Sequence, residues 1–293
     1  MNILVTGANG QLGTSIRVLA ERQKKDRFVF TDVASQPGKD IVYLDITNRD
    51  AVRLLCESEQ VDLIINCAGY TNVEKAEEDI TLCQLLNHEA PGILAEEAAR
   101  RGATLIHIST DYVFGGEIPI PRKESFPAQP SGVYAVTKLQ GEVAVQESGC
   151  KYLIIRSAWL YSAYGKNFLK TMRQLTRERP EVKVVFDQVG TPTWAGDLAA
   201  FIMQIIGTRQ LHKTGVYHYS NEGVCSWFDF ACAIRDLCGN PGRVVPCYSA
   251  DFPSKVHRPA YSVLDKAKAK ETFGVEIPHW YTSLKKCLEE AEL

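Results

Sequence analysis

The chain has 293 residues, of which 45% are hydrophobic and 23% charged, with a formal net charge of −2. Such a composition suits a soluble globular protein long enough for one large core and an appended lobe, and it leaves no basic surplus to attract nucleic acid and no acidic tail. No apolar run approaches the ~18 residues of a membrane span, so no membrane partner is expected.

Met1-Asn2-Ile3-Leu4-Val5 runs into a glycine turn without a basic leader, which argues against a signal peptide. The nine cysteines are scattered and none has C-x-x-C spacing, so neither a zinc ribbon nor a redox pair is predicted. They read as reduced thiols, and the expected location is cytoplasmic.

Short apolar runs alternate with helical patterns through the first half of the chain. Strands are predicted at 3–6, 28–31, 63–66, 104–109 and 152–156, and helices at 12–23, 49–59, 82–101 and 134–147. Several strands are apolar at consecutive positions, as when helices cover both faces of a parallel sheet. Residues 115–130, with Pro119, Pro121, Pro127 and Pro130, are predicted to form a long loop. Further on, helices are predicted at 168–177, 196–206, 227–237 and 281–290, with strands at 183–186 and 215–219 and turn-rich segments at 239–242 and 250–259. The pattern implies a first domain over 1–165 and a smaller C-terminal α/β lobe over 166–293, some of whose segments return to the first domain.

Gly7-Ala8-Asn9-Gly10-Gln11-Leu12-Gly13 follows the first strand and opens the first helix. Glycines at this place allow a tight turn and let the backbone approach a pyrophosphate, whose charge then meets a helix N-terminus. The pattern predicts a dinucleotide site on a doubly wound parallel sheet of Rossmann type. Asp32 ends the second strand, where an acid accepts hydrogen bonds from an adenosine ribose; a plain loop aspartate is the other reading. An acid there favours NAD, while Arg17, Lys24, Lys25 and Lys39 offer charge to offset a 2′-phosphate, so NADPH and NADH both stay open. Asp45 and Ile46 are candidates for contact with adenine.

Tyr134 and Lys138 stand one helical turn apart in a run of good helix formers. A neighbouring ammonium lowers a phenol pKa from ~10 and suits it to proton transfer. Spacing alone does not decide the matter, since Tyr281 and Lys285 repeat it.

The glycine turn, Asn66-Cys67-Ala68-Gly69, Ser109-Thr110 and Tyr134-xxx-Lys138 together resemble an extended short-chain dehydrogenase/reductase. Ser109-Thr110-Asp111-Tyr112-Val113-Phe114-Gly115-Gly116, the segment from Asn66 to Glu77, Arg156 to Trp159, Asn167-Phe168, Asp187 to Thr193 and Arg258 to Ser262 are similar to the dTDP-4-dehydrorhamnose reductase branch. The resemblance covers nearly the whole chain. It implies reduction of the C4 keto group of dTDP-4-dehydro-L-rhamnose by NADPH or NADH in dTDP-rhamnose biosynthesis, a step toward cell-surface polysaccharide.

Under that resemblance Thr110, Tyr134 and Lys138 are catalytic. Thr110 bonds the carbonyl oxygen, Tyr134 protonates it, and Lys138 lowers the phenol pKa and holds the nicotinamide ribose. Gly7, Gly10, Gln11, Leu12, Gly13, Asp32, Asp45, Ile46, Ala68, Gly69, Tyr70 and Thr71 are expected to bind cofactor with Tyr134 and Lys138. Thr110, Asp111, Trp159 and Arg258 are expected to face the nucleotide sugar. Asp111 has a turn or N-cap role as its other reading, and Trp159 has core packing. His107, inside an apolar strand, reads as a core residue.

Some family members carry a glutamate directly after the third glycine that holds Mg2+ at a dimer contact. Thr14-Ser15 stand here instead, so no metal is expected, and a homodimer is left as an assembly the resemblance allows. Tyr112 occupies the position where a 4,6-dehydratase has an acid, which argues against elimination. An epimerase and a non-catalytic dinucleotide-binding subunit are the other readings.

Overall fold

The computed structural model describes residues 1–34, 40–116, 118–252, 254–256 and 258–292. Lys39, one of the charges weighed above, lies outside the described residues.

The first part of the chain has six strands, separated by helices except between the second and third: β1 Asn2–Thr6, β2 Arg27–Asp32, β3 Val42–Tyr43, β4 Leu63–Asn66, β5 Thr104–Thr110 and β6 Lys151–Ser157. With strand Gly215–His218 they form one sheet in the order Gly215–His218, β6, β5, β4, β1, β2, β3, and every pairing is parallel. Each predicted strand of the first half is present to within one or two residues. The short β3 was not foreseen, because two exposed residues leave no periodic signal.

Apolar side chains line both faces of the sheet. On one, Ile3, Val5, Ile65 and Ile106 meet Ile16 of helix Gln11–Ala20 and Phe201, Ile202 and Ile205 of helix Ala195–Gly207. On the other, Leu4, Ile64 and Leu105 meet Val52 of helix Arg49–Ser58 and Leu94 and Ala98 of helix Ala90–Arg101. Each such aliphatic side chain, wholly removed from water, contributes roughly 1.5–3 kcal/mol. Strand Gly215–His218 and helix Ala195–Gly207 therefore belong to the central sheet, although they lie late in the chain.

A separate apolar cluster gathers Tyr161, Leu169, Met172, Val182, Phe230, Trp280 and Leu284. It joins helices Phe168–Glu178, Trp227–Leu237 and Trp280–Glu292 to a parallel strand pair, Glu181–Val185 with Arg243–Cys247. The second strand of that pair falls after the turn at 239–242 and was not predicted. The segment predicted as one helix over 82–101 begins at Ile80, passes through a π turn at Leu85–Glu89 and continues as Ala90–Arg101. The turn lies against helix Gly132–Glu147, where a Cβ on Gly141 would come within 2.0 Å of the Asn87 carbonyl oxygen. π turns recur at functional sites.

Candidate active site

Strand order reverses between β1 and β4, and ligands of open α/β sheets bind at the carboxyl ends of the strands at such a point. Thr6, Asp32, Asn66, Thr110 and Ser157 all end strands on that edge. Gly7 takes a left-handed φ of 64°, and a Cβ there would lie 2.7 Å from the Ala68 nitrogen. A Cβ on Gly13 would lie 2.3 Å from the Gly7 carbonyl oxygen, so the turn folds directly onto the helix that follows. Gly10 is the N-cap and offers no side-chain cap, which leaves the first-turn N–H groups of Gln11, Leu12 and Gly13 without intrahelical partners. A close backbone cradle at a helix N-terminus fits a pyrophosphate.

Helix Gly132–Glu147 carries Tyr134, Lys138 and Glu142 at successive i+4 positions toward β5. Lys138 is buried, and its Nζ donates to the Ile108 carbonyl at 2.6 Å. Burial lowers its pKa to about 8, against the opposing charges of Glu142 and Cys83. Loss of hydration pushes the Tyr134 phenol upward, a hydrogen bond with Thr110 opposes this, and Asp111 adds to the rise. The lowering of the phenol expected from Lys138 is thus outweighed, because burial sets the direction and the ammonium is aimed at a backbone carbonyl.

Thr110 ends β5. Its hydroxyl accepts from the Tyr112 N–H at 3.2 Å and donates to Asp111 Oδ1 at 3.1 Å. Asp111 is 3% exposed, and burial raises its pKa to about 7 against the Thr110 hydrogen bond. Its Oδ2 has no hydrogen-bond partner among the described residues. The Tyr112 ring stands edge-on to Tyr134 at 5.6 Å. The structure therefore brings Thr110, Asp111, Tyr134 and Lys138 together beside the glycine turn.

The other candidates divide. Asp32 accepts from the N–H groups of Asn9 at 3.0 Å and Ala34 at 3.1 Å, which ties the strand end to the glycine turn. Asp45 closes a local turn by accepting from the Thr47 N–H at 2.9 Å, and Ile46 is buried in the core, so Asp45 is the more exposed member of that pair. Gly69 has Asn87 Oδ1 3.0 Å and Lys138 Nζ 4.0 Å from where a Cβ would stand. Tyr70 turns its hydroxyl to Asp79 at 2.7 Å, and Thr71 is exposed. The Trp159 indole stacks on Trp227 at 3.5 Å, and its backbone holds a left-handed φ of 49°. A non-glycine residue in that region stores roughly 1–3 kcal/mol and is concentrated at functional sites. Arg258 pairs with Glu74 at 3.1 Å.

Lys24 and Lys25 follow the far end of helix Gln11–Ala20, which is about 15 Å long at ~1.5 Å per residue, and stand just before β2 begins, at the sheet edge opposite the turn. That placement removes them as counter-charges for a cofactor phosphate. His107 is buried and held neutral by burial, its Nδ1 3.1 Å from Asn66 Nδ2. Its Nε2 has no partner among the described residues, so the core reading is met on one nitrogen only.

Sequence reasoning missed Asn87 and Glu142. Asn87 accepts from the Tyr70 N–H at 2.9 Å and donates to the Tyr70 carbonyl at 3.1 Å, pinning the loop after β4. Glu142 is wholly buried, pairs with Arg156 at 2.6 Å and accepts from Ser109 at 2.5 Å. The i+4 spacing from Lys138 was the available signal for Glu142.

A groove of about 600 Å³ is lined by Glu74, Phe168, Met172, Lys183, Trp227 and Arg258, among others. It adjoins the segment that follows Thr110, since Pro259, next to Arg258, packs against Gly116, where a Cβ would lie 2.3 Å from the proline Cβ.

Comparison with known proteins agrees with this geometry. The family model described as "RmlD substrate binding domain" matches residues 1–293. A dTDP-4-dehydrorhamnose reductase of Burkholderia thailandensis is 37% identical, with 99% of each chain covered. The crystal structure of a dTDP-4-dehydrorhamnose reductase from Clostridium acetobutylicum is 40% identical, covers 100% of both chains and superposes with a TM-score of 0.92. That of Bacillus anthracis, in complex with NADP, is 35% identical with a TM-score of 0.88 over 99% of each chain. Matched from end to end by that model, the chain belongs to the RmlD substrate-binding-domain family of extended short-chain dehydrogenases/reductases.

Proposed function

We propose that this protein reduces the C4 keto group of dTDP-4-dehydro-L-rhamnose to dTDP-L-rhamnose, using NADPH or NADH. The observation that carries this reading is the convergence of Thr110, Tyr134 and Lys138 at a strand end beside a glycine turn built for a dinucleotide. The cofactor, when bound, supplies the hydride.

The chain's own residues do the rest. Gly7, Gly10 and Gly13 let the backbone close on the pyrophosphate, and the N–H groups of Gln11 and Leu12 face it. Asp32 and Asp45 serve the adenosine end, with Ile46 packed beneath Asp45. Ala68, Gly69, Tyr70 and Thr71, pinned by Asn87, line the nicotinamide end. Thr110 turns its hydroxyl proton from Asp111 to the substrate carbonyl oxygen as charge builds there, and Tyr134 delivers the proton. Lys138, poised near neutrality, supplies positive charge and holds the ribose. Asp111 and Trp159 meet the sugar, and Arg258 with Lys183 meets the diphosphate in the groove.

Residues 1–165, with strand Gly215–His218 and helix Ala195–Gly207, form the dinucleotide-binding part, and the cluster around Phe230 forms the substrate lobe. A cytoplasmic location fits nine cysteines that are scattered through the sequence without C-x-x-C spacing. No helix of the described residues is long and apolar enough to cross a membrane. A homodimer is an assembly that the family resemblance allows.

The test incubates purified protein with dTDP-4-dehydro-L-rhamnose and each reduced nicotinamide, and identifies the product by NMR. Tyr134→Phe should lower kcat by roughly 10²–10⁴ while nucleotide binding persists. Near-normal turnover in that variant would overturn the assignment.

A further inference from the structure

Gln11 is the first residue of helix Gln11–Ala20, and its side chain leaves the dinucleotide turn altogether. Its Oε1 accepts from Ser162 Oγ at 2.9 Å and from Asn167 Nδ2 at 2.9 Å, and its Nε2 donates to the Leu160 carbonyl at 3.4 Å. Residues 151 and 156 positions away are thus joined to the glycine turn by one carboxamide. The 160–167 loop folds over that side chain. Gly165 takes φ 64°, and a Cβ on it would meet Gln11 Cγ at 3.5 Å.

Asn167 carries the connection onward. Its Nδ2 also donates to the Ser162 carbonyl at 2.8 Å and the Tyr164 carbonyl at 3.1 Å, closing the loop. Its Oδ1 accepts from the Lys170 N–H at 3.1 Å and so caps helix Phe168–Glu178. Phe168 and Met172 of that helix line the groove. Phe168 packs on Trp227 at 4.6 Å, and Trp227 is the stacking partner of Trp159. One unbroken run of hydrogen bonds and ring contacts therefore joins the dinucleotide turn to the groove.

We propose that Gln11 is a positioning residue that couples the two sites, so that dinucleotide bound at the glycine turn tightens binding of the nucleoside diphosphate in the groove. This rests on the reading of that groove as the nucleotide-sugar site. A pyrophosphate seated on the N–H groups of the turn holds the Gln11 backbone, and hence its carboxamide, in the alignment that Ser162 and Asn167 require. The ordering cost met by the first ligand is not met again by the second. The effect is reciprocal, because the coupling free energy belongs to both ligands.

The experiment measures dTDP binding to the full chain by calorimetry, with and without saturating NADP+, and NADP+ binding with and without dTDP. Wild type should show the same enhancement both ways, by a factor of roughly 5 or more. Gln11→Met, of similar length but without the carboxamide, should bring that factor close to one. The factor compares a variant with itself, so a general loss of cofactor affinity does not move it. Ser162→Ala approaches the same contact from the other side and should reduce the factor if Gln11→Met folds poorly. Independent binding in wild type, or undiminished coupling in Gln11→Met and Ser162→Ala, would overturn the proposal. No dTDP binding in either state would overturn the reading of the groove and the coupling with it.

Discussion

Replacing Glu142 by glutamine tests how the helix bearing Tyr134 is held and charged. The glutamate is wholly buried between Arg156 and Ser109. Removing its charge leaves the Arg156 guanidinium, 7% exposed, without a counter-ion. Breaking a buried pair from one side costs about 3–5 kcal/mol, and the hydrogen bonds a glutamine retains place this variant toward the lower figure.

The second consequence reaches the site. Glu142 raises the pKa of Lys138, which burial has brought down to about 8. As i,i+4 neighbours on one helix face, the two residues have Cβ atoms about 6 Å apart. At an effective dielectric constant of ~20, charges at that separation interact by roughly 3 kcal/mol, an upper limit of about two pH units. A lysine is cationic below its pKa. The ammonium of wild type therefore persists to about pH 8, and in Glu142→Gln it is lost at lower pH. The alkaline limb of kcat/KM, which reports the free enzyme, should move down by on the order of one pH unit, while urea denaturation reads the stability. Glu142→Gln with Arg156→Met, which leaves no unpaired charge, should recover stability and still show the shifted limb. A folded Glu142→Gln enzyme with an unmoved or upward-moved limb would refute the reasoning.

Two further outcomes follow from the same geometry. Asp111 ionises at 3.8 in its reference state and at about 7 when folded, so the folded chain holds the extra proton between those values and stability falls as pH rises through them. Asp111→Asn should flatten that slope in thermal melts, and an unchanged slope would show that other groups produce it. Gly13→Ala places a Cβ 2.3 Å from the Gly7 carbonyl oxygen, which should weaken NADPH binding by at least roughly tenfold, equivalent to ~1.4 kcal/mol. Unaltered binding in a fluorescence titration would show that the turn yields without cost.

Much of the site was legible because its signals are local. Gly7, Gly10 and Gly13 follow a strand and open a helix within seven residues, and Thr110 and Asp111 end an apolar run. Tyr134 and Lys138 share a helix face by spacing alone. Side-chain direction was not legible. The phenol of Tyr70 turns to Asp79 and Ile46 sinks into the core, while Trp159 lies against Trp227. Each outcome depends on a neighbour distant in sequence, or on which face of a short turn met the core.

The individual strands and helices of the first half, the glycine turn and the shared face of Tyr134 and Lys138 were determined by the sequence itself, since period, glycine placement and helix spacing act over a few residues. The order of the strands and the switch point rest instead on pairings between distant segments. Only the tertiary structure decided how the ends of the chain meet. Strand Gly215–His218 joins the sheet beside β6, and Gln11 reaches Ser162 and Asn167 across some 150 residues. Burial likewise reversed the electrostatic expectation, pushing the Tyr134 phenol up while drawing Lys138 toward neutrality. A charge in a packed interior feels the water it has lost as well as the partner spacing assigns to it, and that loss exists only once the chain has folded.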